Sequence, residues 1–478
     1  MRKMRPFYVA GEARTGQGAL DVTNPYDGSV VATVGLPRDA DVEDAAHAAA
    51  DTFRESQHLP AHRRIDALTH ISRRIEERKD ELTEIIVREG GKPWKWAASE
   101  ASRAVSTFRI AAEEVRRFGG EVLRLDTEEA LGARHAIVRR FPFGPVLGIS
   151  PFNFPLNLVA HKVAPALAVG APIVLKPADK TPLSALALAE IVYETDLPKG
   201  MLSVLPINGA RAEQLLVGDE RLPKITFTGS GAVGWRLRTI APPQKRITLE
   251  LGGNAGVIVH SDADLDHAAR RIAFGGYYQA GQSCISVQRI FVQAEVFDAF
   301  ADRLLKHVHG LKSGDPMDPS TDVGPMIRPD ALERTEAWVN EALGSGARAL
   351  IGGKRNDPFF EPTVLADVTP EMRVCREEIF APVTALLKYE TFEDALAAVN
   401  DSPYGLQAGV FTNDIARAFQ AHRELVVGGL VINDQSAFRA DQMPYGGVKA
   451  SGVGREGPRY AMEEMTEPRT MILSGLPL

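Results

Sequence analysis

Cys284 ends the small, polar segment Gly281-Gln282-Ser283-Cys284, directly after a helical run from Ala268 to Tyr278, so a turn presents it. A thiol in a loop is open to a substrate and its thiolate is a strong nucleophile. With an ordinary pKa near about 8.5, it needs local donors or a base to reach that form. Taken by itself, such a cysteine reads more often as a small buried hydrophobe. The only other cysteine, Cys375, lies between Arg373 and Arg376 with no partner motif and reads as packing. No CxxC and no ligand spacing joins the two, so neither a disulfide framework nor a metal site is expected. Asp262, Asp264 and Asp266 lack the glycine and terminal Glu of a calcium loop and read as helix-start charges.

A second cluster points to phosphate binding. The strand-like Lys224-Ile225-Thr226-Phe227-Thr228 runs into Gly229-Ser230-Gly231-Ala232-Val233-Gly234, which opens a helix through Trp235 to Ile240. In that order, glycines let the backbone approach a phosphate while the helix N-terminus stabilises its charge. The same residues also suit an ordinary tight strand-to-helix turn. Two acids compete for the ribose of a dinucleotide: Glu250, about twenty residues past the turn, and Asp179, which leaves an earlier strand end beside Lys176 in Leu175-Lys176-Pro177-Ala178-Asp179.

These residues need a scaffold. From Asp41 to Phe118 apolar residues recur at three- and four-residue spacing, interrupted at Gly90-Gly91-Lys92-Pro93, a helical lead-in. From Val146 the rhythm changes to short β-rich runs separated by helical segments: Val146 to Ser150, Ile173 to Lys176, Leu202 to Leu205, Ile225 to Thr228 and Ile247 to Glu250. A second block, Ala255 to about Val431, has strand candidates at Val257 to Val259, Ile290 to Val292, Ala349 to Ile351, Thr384 to Leu387 and Ala408 to Phe411. Strands alternating with helices imply parallel sheets, so the expected fold class is α/β with two doubly wound units. Glu121 to Arg140 and Arg469 to Leu473 read as strands without a core to cover, which suggests edge or intersubunit pairing.

Separated segments, in order along nearly the whole chain, resemble the aldehyde dehydrogenase superfamily. They are Pro151-Phe152-Asn153-Phe154-Pro155, Leu175-Lys176-Pro177, Phe227-Thr228-Gly229-Ser230, Glu250-Leu251-Gly252-Gly253, Gly281-Gln282-Ser283-Cys284, Glu377-Glu378-Ile379-Phe380-Ala381-Pro382, Pro444-Tyr445-Gly446-Gly447 and Ser451-Gly452-Val453-Gly454-Arg455-Glu456. The resemblance implies that Cys284 attacks an aldehyde, that Asn153 and the Cys284 N–H hold the oxyanion, and that Glu250 is the base hydrolysing the thioester. Lys162 and Glu456 would relay protons. NAD, with NADP open, would lie against Ser150, Phe152, Lys176, Asp179, Gly229, Ser230, Val233, Leu251, Gly252, Glu378 and Phe380. Residues 1–119 with 142–252 would form the cofactor domain, 253–450 the catalytic domain, and 120–141 with 451–478 a small β oligomerisation element of a homodimer or homotetramer. Two departures stand out: Gly231 where the family usually has Thr, and Asp179 where NAD-preferring members commonly carry Glu.

By the same alignment of motifs Arg103, Phe154, Leu158, His161, Ser283, Ile285, Phe438 and Arg439 fall near the substrate tunnel. Arg103, His161 and Arg439 would be costly cations in a dry channel unless an anion or hydroxyl met them. A small aldehyde bearing a carboxylate, phosphate, phosphonate or hydroxyl is therefore expected, with phosphonoacetaldehyde, succinate semialdehyde and lactaldehyde dehydrogenases the relatives considered. An Arg103–Glu100 ion pair on one helix is the bland alternative, and Arg289 reads as structural. With 55 basic against 62 acidic residues, net −7, nothing favours nucleic acid or an anionic membrane as partner. The apolar run Val163 to Leu175 is too short and too broken to span a bilayer. The basic start Met-Arg-Lys-Met-Arg lacks a following apolar stretch, so a cytoplasmic location is expected. A CoA-acylating enzyme is the rival within the chemistry, weakened by the presence of Glu250. A non-catalytic protein on the same fold should have lost Cys284, Glu250 or Asn153.

Overall fold

Short, fully buried apolar strands separated by helices can satisfy their backbone groups only by pairing in parallel with helical crossovers. The computed structural model, which describes residues 4–132 and 134–474, has two such sheets. In the first, five parallel strands stand in the order Leu202–Val204, Ile173–Lys176, Val146–Ile149, Lys224–Thr228, Arg246–Glu250. The chain winds one way from Val146–Ile149 and then restarts on its other side at Lys224–Thr228. Between those two strands, crossovers leave in opposite directions, and a crevice opens at their C-terminal ends. In the second sheet Ala255–Val259 is flanked by Val287–Gln293 and Gln407–Phe411 in parallel. Thr363–Ala366, Val383–Tyr389 and Gly429–Ile432 extend it in parallel, while the edge strand Arg348–Ile351 runs antiparallel.

The sequence-expected strands of the two units recur here within three residues at each end, and the helical lead-in forms Asp39–Ser56, Ala61–Glu77, Lys79–Gly90 and Trp94–Arg117. Several strands carry no legible signal: the antiparallel edge Phe7–Val9 with Glu12–Arg14, and the pieces Thr363–Ala366 and Gly429–Ile432. Gly452–Val453 joins the first sheet beside Glu250, and Met462 and Met465 sit in that sheet's core. Residues 451–465 thus pack with the first unit. Thr466–Ser474 does pair with Arg134–Pro142, which pairs with Glu121–Arg124, in a separate antiparallel sheet. Asp264, at the start of Leu265–Tyr277, accepts from the N–H groups of Asp266 and His267 as a cap. Among the described residues no helix is long and apolar enough to cross a membrane.

The helix Asn157–Val169 is buried along its whole length and carries no capping side chain of its own. Its free N–H groups are met from outside: Glu100, on Trp94–Arg117, accepts from Leu156 N at 2.9 Å and Asn157 N at 3.1 Å. Its other oxygen accepts from Lys92 Nζ, and both side chains are buried. Glu89 does the same for the helix Leu183–Tyr193, accepting from Leu183 N and Ser184 N. Buried carboxylates therefore fix the helical lead-in to the helices behind the crevice, and helix N-termini favour such negative charge. The alternative Arg103–Glu100 pair does not form, because Glu100 is already engaged here and Arg103 pairs with Asp441. Glu100→Ala, which leaves Lys92 buried without its partner and two N–H groups bare, should cost about 3–5 kcal/mol. Chemical denaturation of the variant measures it; a loss under about 1 kcal/mol, the worth of an exposed pair, would contradict the assignment.

Candidate active site

At the switch point of the first sheet the chain supplies Ser150, Phe152 and Asn153 after one strand and Gly229 and Ser230 after the next. All of these line a single cavity of about 470 Å³. The same wall receives Lys176, Asp179, Val233, Glu250, Leu251 and Gly252 from the first unit, and Cys284, Glu378 and Phe380 from the second. Cys284 thus faces the crevice between the sheets and keeps an accessible side.

Backbone strain surrounds the sulfur. Gln279 and Ala280 both have φ of +54°, and Phe380 has φ of +53°. Each such residue costs about 1–3 kcal/mol and persists only where its surroundings hold it. Gln279 Nε2 donates to the Asn153 carbonyl, and Asn153 Nδ2 donates to the Gln282 carbonyl at 3.0 Å. The loop and the amide therefore hold each other. Gly281 needs its missing side chain, since a Cβ there would lie 2.2 Å from the Ala381 carbonyl oxygen. The Cys284 N–H donates to no described residue. Tyr445 Oη lies 3.0 Å from Sγ. Burial pushes the thiol up to about 12 despite that contact.

Glu250 ends its strand with both carboxylate oxygens buried and without a hydrogen-bond partner among the described residues. Burial, reinforced by Glu456, raises its pKa well above the ordinary carboxylate range. The nearby cations are engaged elsewhere: Glu456 accepts from Lys162 Nζ at 2.9 Å and from Arg439 at 3.2 Å. Lys162 also donates to Thr228 Oγ1 at 2.7 Å and Thr226 Oγ1 at 3.2 Å. Burial opposes charge on Glu456, but Lys162 and Arg439 outweigh it and hold its pKa low. Glu456 and Lys162 lie behind the cavity wall rather than on it.

The residues aligned with a tunnel behave differently from one another. Leu158 lines the cavity, while Ile285 packs with Leu406 and Tyr445. Ser283 Oγ accepts from Tyr278 at 2.8 Å, Phe154 lies under Lys92 Nζ at 3.8 Å, and Phe438 is exposed. Arg103 and His161 meet on one carboxylate, Asp441, at 2.8 and 3.1 Å. Asp441 was not singled out from sequence; no local pattern marks it. Burial lowers the His161 pKa to about 4, so this ring is a neutral imidazole near pH 7 rather than a cation. Arg289 is structural as expected, donating to Asn254 and to the carbonyls of Ala398 and Val399, and Cys375 is buried packing.

Residues 12–471 match the aldehyde dehydrogenase family. The chain belongs to that family. It is an NAD(P)-dependent oxidoreductase acting on the aldehyde group. Over 472 residues it is 44% identical to a 3-sulfolactaldehyde dehydrogenase of Priestia aryabhattai, covering 99% of this chain and 98% of that one. It superposes with a TM-score of 0.97 on aldehyde dehydrogenase 21 of Physcomitrella patens, solved with the reaction product succinate, at 42% identity over 100% of both chains. Glyceraldehyde-3-phosphate dehydrogenase of Methanocaldococcus jannaschii, solved with NADP, gives 0.91 and 39% identity over 96% of this chain and 99% of that one.

The enzyme's cavity has the features a dinucleotide needs. Ser230 precedes the ten-residue helix Gly231–Ile240, and a Cβ on Gly231 would meet nothing within 4 Å, so the helix N-terminus is open to a phosphate. Ser150 Oγ is buried without a partner. Lys176 and Asp179 pair at their strand end. Glu378 accepts from Gly253 N–H at 3.0 Å, and burial raises its pKa to about 7. A Cβ on Gly252 would lie 2.1 Å from Glu378 Oε2. Gly252→Ala should therefore turn this carboxylate off the wall and weaken NADH binding about tenfold or more, as for a lost charged hydrogen bond. Fluorescence titration reads the change, and unaltered affinity would remove Glu378 from the cofactor site.

Proposed function

We propose that the enzyme oxidises a small anionic or polar aldehyde to its carboxylic acid, with Cys284 as nucleophile and Glu250 as hydrolytic base. The observation that carries this is the convergence of the Cys284 thiol, the Asn153 amide and the partnerless Glu250 carboxyl on one cavity. The Cys284 sulfur adds to the aldehyde carbon, and the C=O electron pair moves to oxygen. One Asn153 Nδ2 proton is fixed on the Gln282 carbonyl, so the other, with the Cys284 N–H, faces that oxyanion. When bound, NAD(P) supplies the hydride acceptor. Glu250, once ionised, takes a proton from water as its oxygen adds to the thioester, and the C–S bond breaks to return the thiolate. Lys162 and Glu456 stand behind Glu250 as its proton outlet.

For the dinucleotide, Lys176, Asp179 and Ser150 would take the adenosine side and phosphates with Gly229, Ser230 and Val233. Phe152, Leu251, Gly252, Glu378 and Phe380 would flank the nicotinamide side, where the Phe152 and Phe380 rings meet edge to face at 6.0 Å. NAD is the primary cofactor in this reading. NADP also fits, since Lys180 lines the same wall beside the short Asp179 carboxylate.

The anionic substrate follows from charge. Among the described residues the ion-pair partners of Arg103, Arg439 and Lys162 are Asp441 and Glu456, two carboxylates for three cations, and Arg103 Nε and Arg439 Nε have no hydrogen-bond partner. A sulfonate or carboxylate tail would complete that balance, in keeping with the sulfolactaldehyde and succinate named for the relatives. The domain division and the oligomerisation role belong to the same proposal. The edge sheet exposes Val122, Leu123, Met471 and Ile472, which a homodimer or homotetramer would cover.

Cys284→Ser should abolish aldehyde oxidation. Glu250→Gln should keep a single-turnover burst of reduced cofactor but slow steady turnover by about 10²-fold or more. Because the Glu250 pKa is raised, wild-type turnover should rise with pH as that carboxyl deprotonates and fall as pH drops below it; a burst-free Glu250→Gln enzyme would defeat the assignment. Arg103→Gln should raise KM for an anionic aldehyde about tenfold and leave a neutral isostere unchanged, whereas equal effects on both would show a folding role.

A further inference from the structure

Tyr445 has a role that neither the motif nor the proposed mechanism uses. Its hydroxyl, 3.0 Å from Cys284 Sγ, has no other hydrogen-bond partner among the described residues. The ring is fixed from three sides. Its backbone exchanges both hydrogen bonds with Glu456, N to O at 3.0 Å and O to N at 2.7 Å. The Arg439 guanidinium, itself tied to Glu456, lies 3.8 Å from the ring centroid. Ile285 and Leu406 pack against it. A phenylalanine would satisfy all of this packing, so only the hydroxyl distinguishes the residue, and a buried hydroxyl needs a partner. That partner is the reactive sulfur.

We propose that Tyr445 is a catalytic residue whose hydroxyl donates to the Cys284 sulfur, stabilising the thiolate before attack and again when the sulfur is expelled from the thioester. This rests on Cys284 being the nucleophile. No Lys, Arg or His side chain makes a hydrogen bond or ion pair with the sulfur among the described residues. The charged and titratable groups that act on it are Glu250 and Glu378, which oppose its ionisation, Arg439, which favours it, and the hydroxyls of Tyr445 and Tyr278. An ordinary phenol ionises near about 10 and an ordinary thiol near about 8.5, and burial raises both here, with the Cys284 sulfur raising Tyr445 further, so the sulfur gives up its proton first and Tyr445 keeps its own. During attack the sulfur lone pair forms the S–C bond, the carbonyl pair moves to oxygen, and the O–H contact relaxes. On hydrolysis the C–S pair returns to sulfur and meets the same O–H. A thiolate favoured by one pH unit is tenfold more abundant near neutrality and about threefold less nucleophilic, a net gain of about threefold in attack.

The test is the pH dependence of Cys284 alkylation by iodoacetamide in the full-length enzyme, with Cys284→Ser as the background. In Tyr445→Phe the midpoint should rise by about one pH unit and the rate at pH 7 should fall about threefold or more. The limiting rate at high pH should not fall. The loss of kcat/KM should likewise be larger at pH 7 than at alkaline pH. Tyr445→Met, which keeps bulk without a hydroxyl, should move the midpoint the same way, and thermal unfolding of both variants checks the fold. An unmoved midpoint in a folded variant overturns the role of Tyr445 while leaving Cys284 as nucleophile. Full activity in Cys284→Ser would instead overturn the wider reading.

Discussion

The carboxylate of Glu456 is the constraint on which the site depends. Burying an anion is costly unless cations and donors surround it, and here Lys162 and Arg439 both do. Lys162 is carried by the buried helix Asn157–Val169, and Arg439 by the loop that follows the second sheet, so the same carboxylate joins the two units. Its consequence reaches Glu250. With both cations drawn to Glu456, the neighbouring carboxyl has burial and a like charge against it and the weaker pull of Arg439, Lys162 and Arg455 for it, so its pKa is raised. A network that looks like structural packing thereby sets the state of a group on the cavity wall.

The nucleophile loop follows a related logic with backbone in place of charge. Left-handed residues at Gln279, Ala280 and Phe380 are expensive, and each is held by contacts reaching across the crevice or within the second unit. The Asn153 side chain lies on the first unit, and its bond to the Gln282 carbonyl makes the sulfur's position depend on how the two sheets meet. Such a loop gains precision only while that interface stays closed. The buried Glu100 and Glu89 caps serve the same end, because they fix the helices that carry the first unit's side of the crevice.

Much of this was legible in the chain. The alternation of apolar runs from Val146 onward specifies parallel strands, and the glycines after Thr228 mark the turn that opens onto the cavity, because both signals are local. Edge strands such as Glu12–Arg14 and Gly429–Ile432 escaped, being short and lacking clear alternation. The Asp441 carboxylate escaped for another reason. It meets Arg103 across 338 positions and His161 across 280, and no periodicity records a contact of that span. The sequence therefore showed Arg103 and His161 without their partner and overstated their free charge. The His161 ring is neutral for the same reason, since burial is a property of the fold and not of neighbouring letters.

Charge on Glu250 also opposes charge on the sulfur. In a dry cavity two like charges repel, and Glu250 adds to the rise in the thiol's pKa. In the resting enzyme, on the mechanism proposed, a neutral Glu250 therefore costs a forming thiolate nothing. Once the sulfur is acylated its charge is gone, and Glu250 can ionise at the step that needs a base without facing a thiolate. Lys162 and Glu456 then offer the proton a route away from the cavity. The order of nucleophile first and base second would be favoured by this repulsion within one small volume.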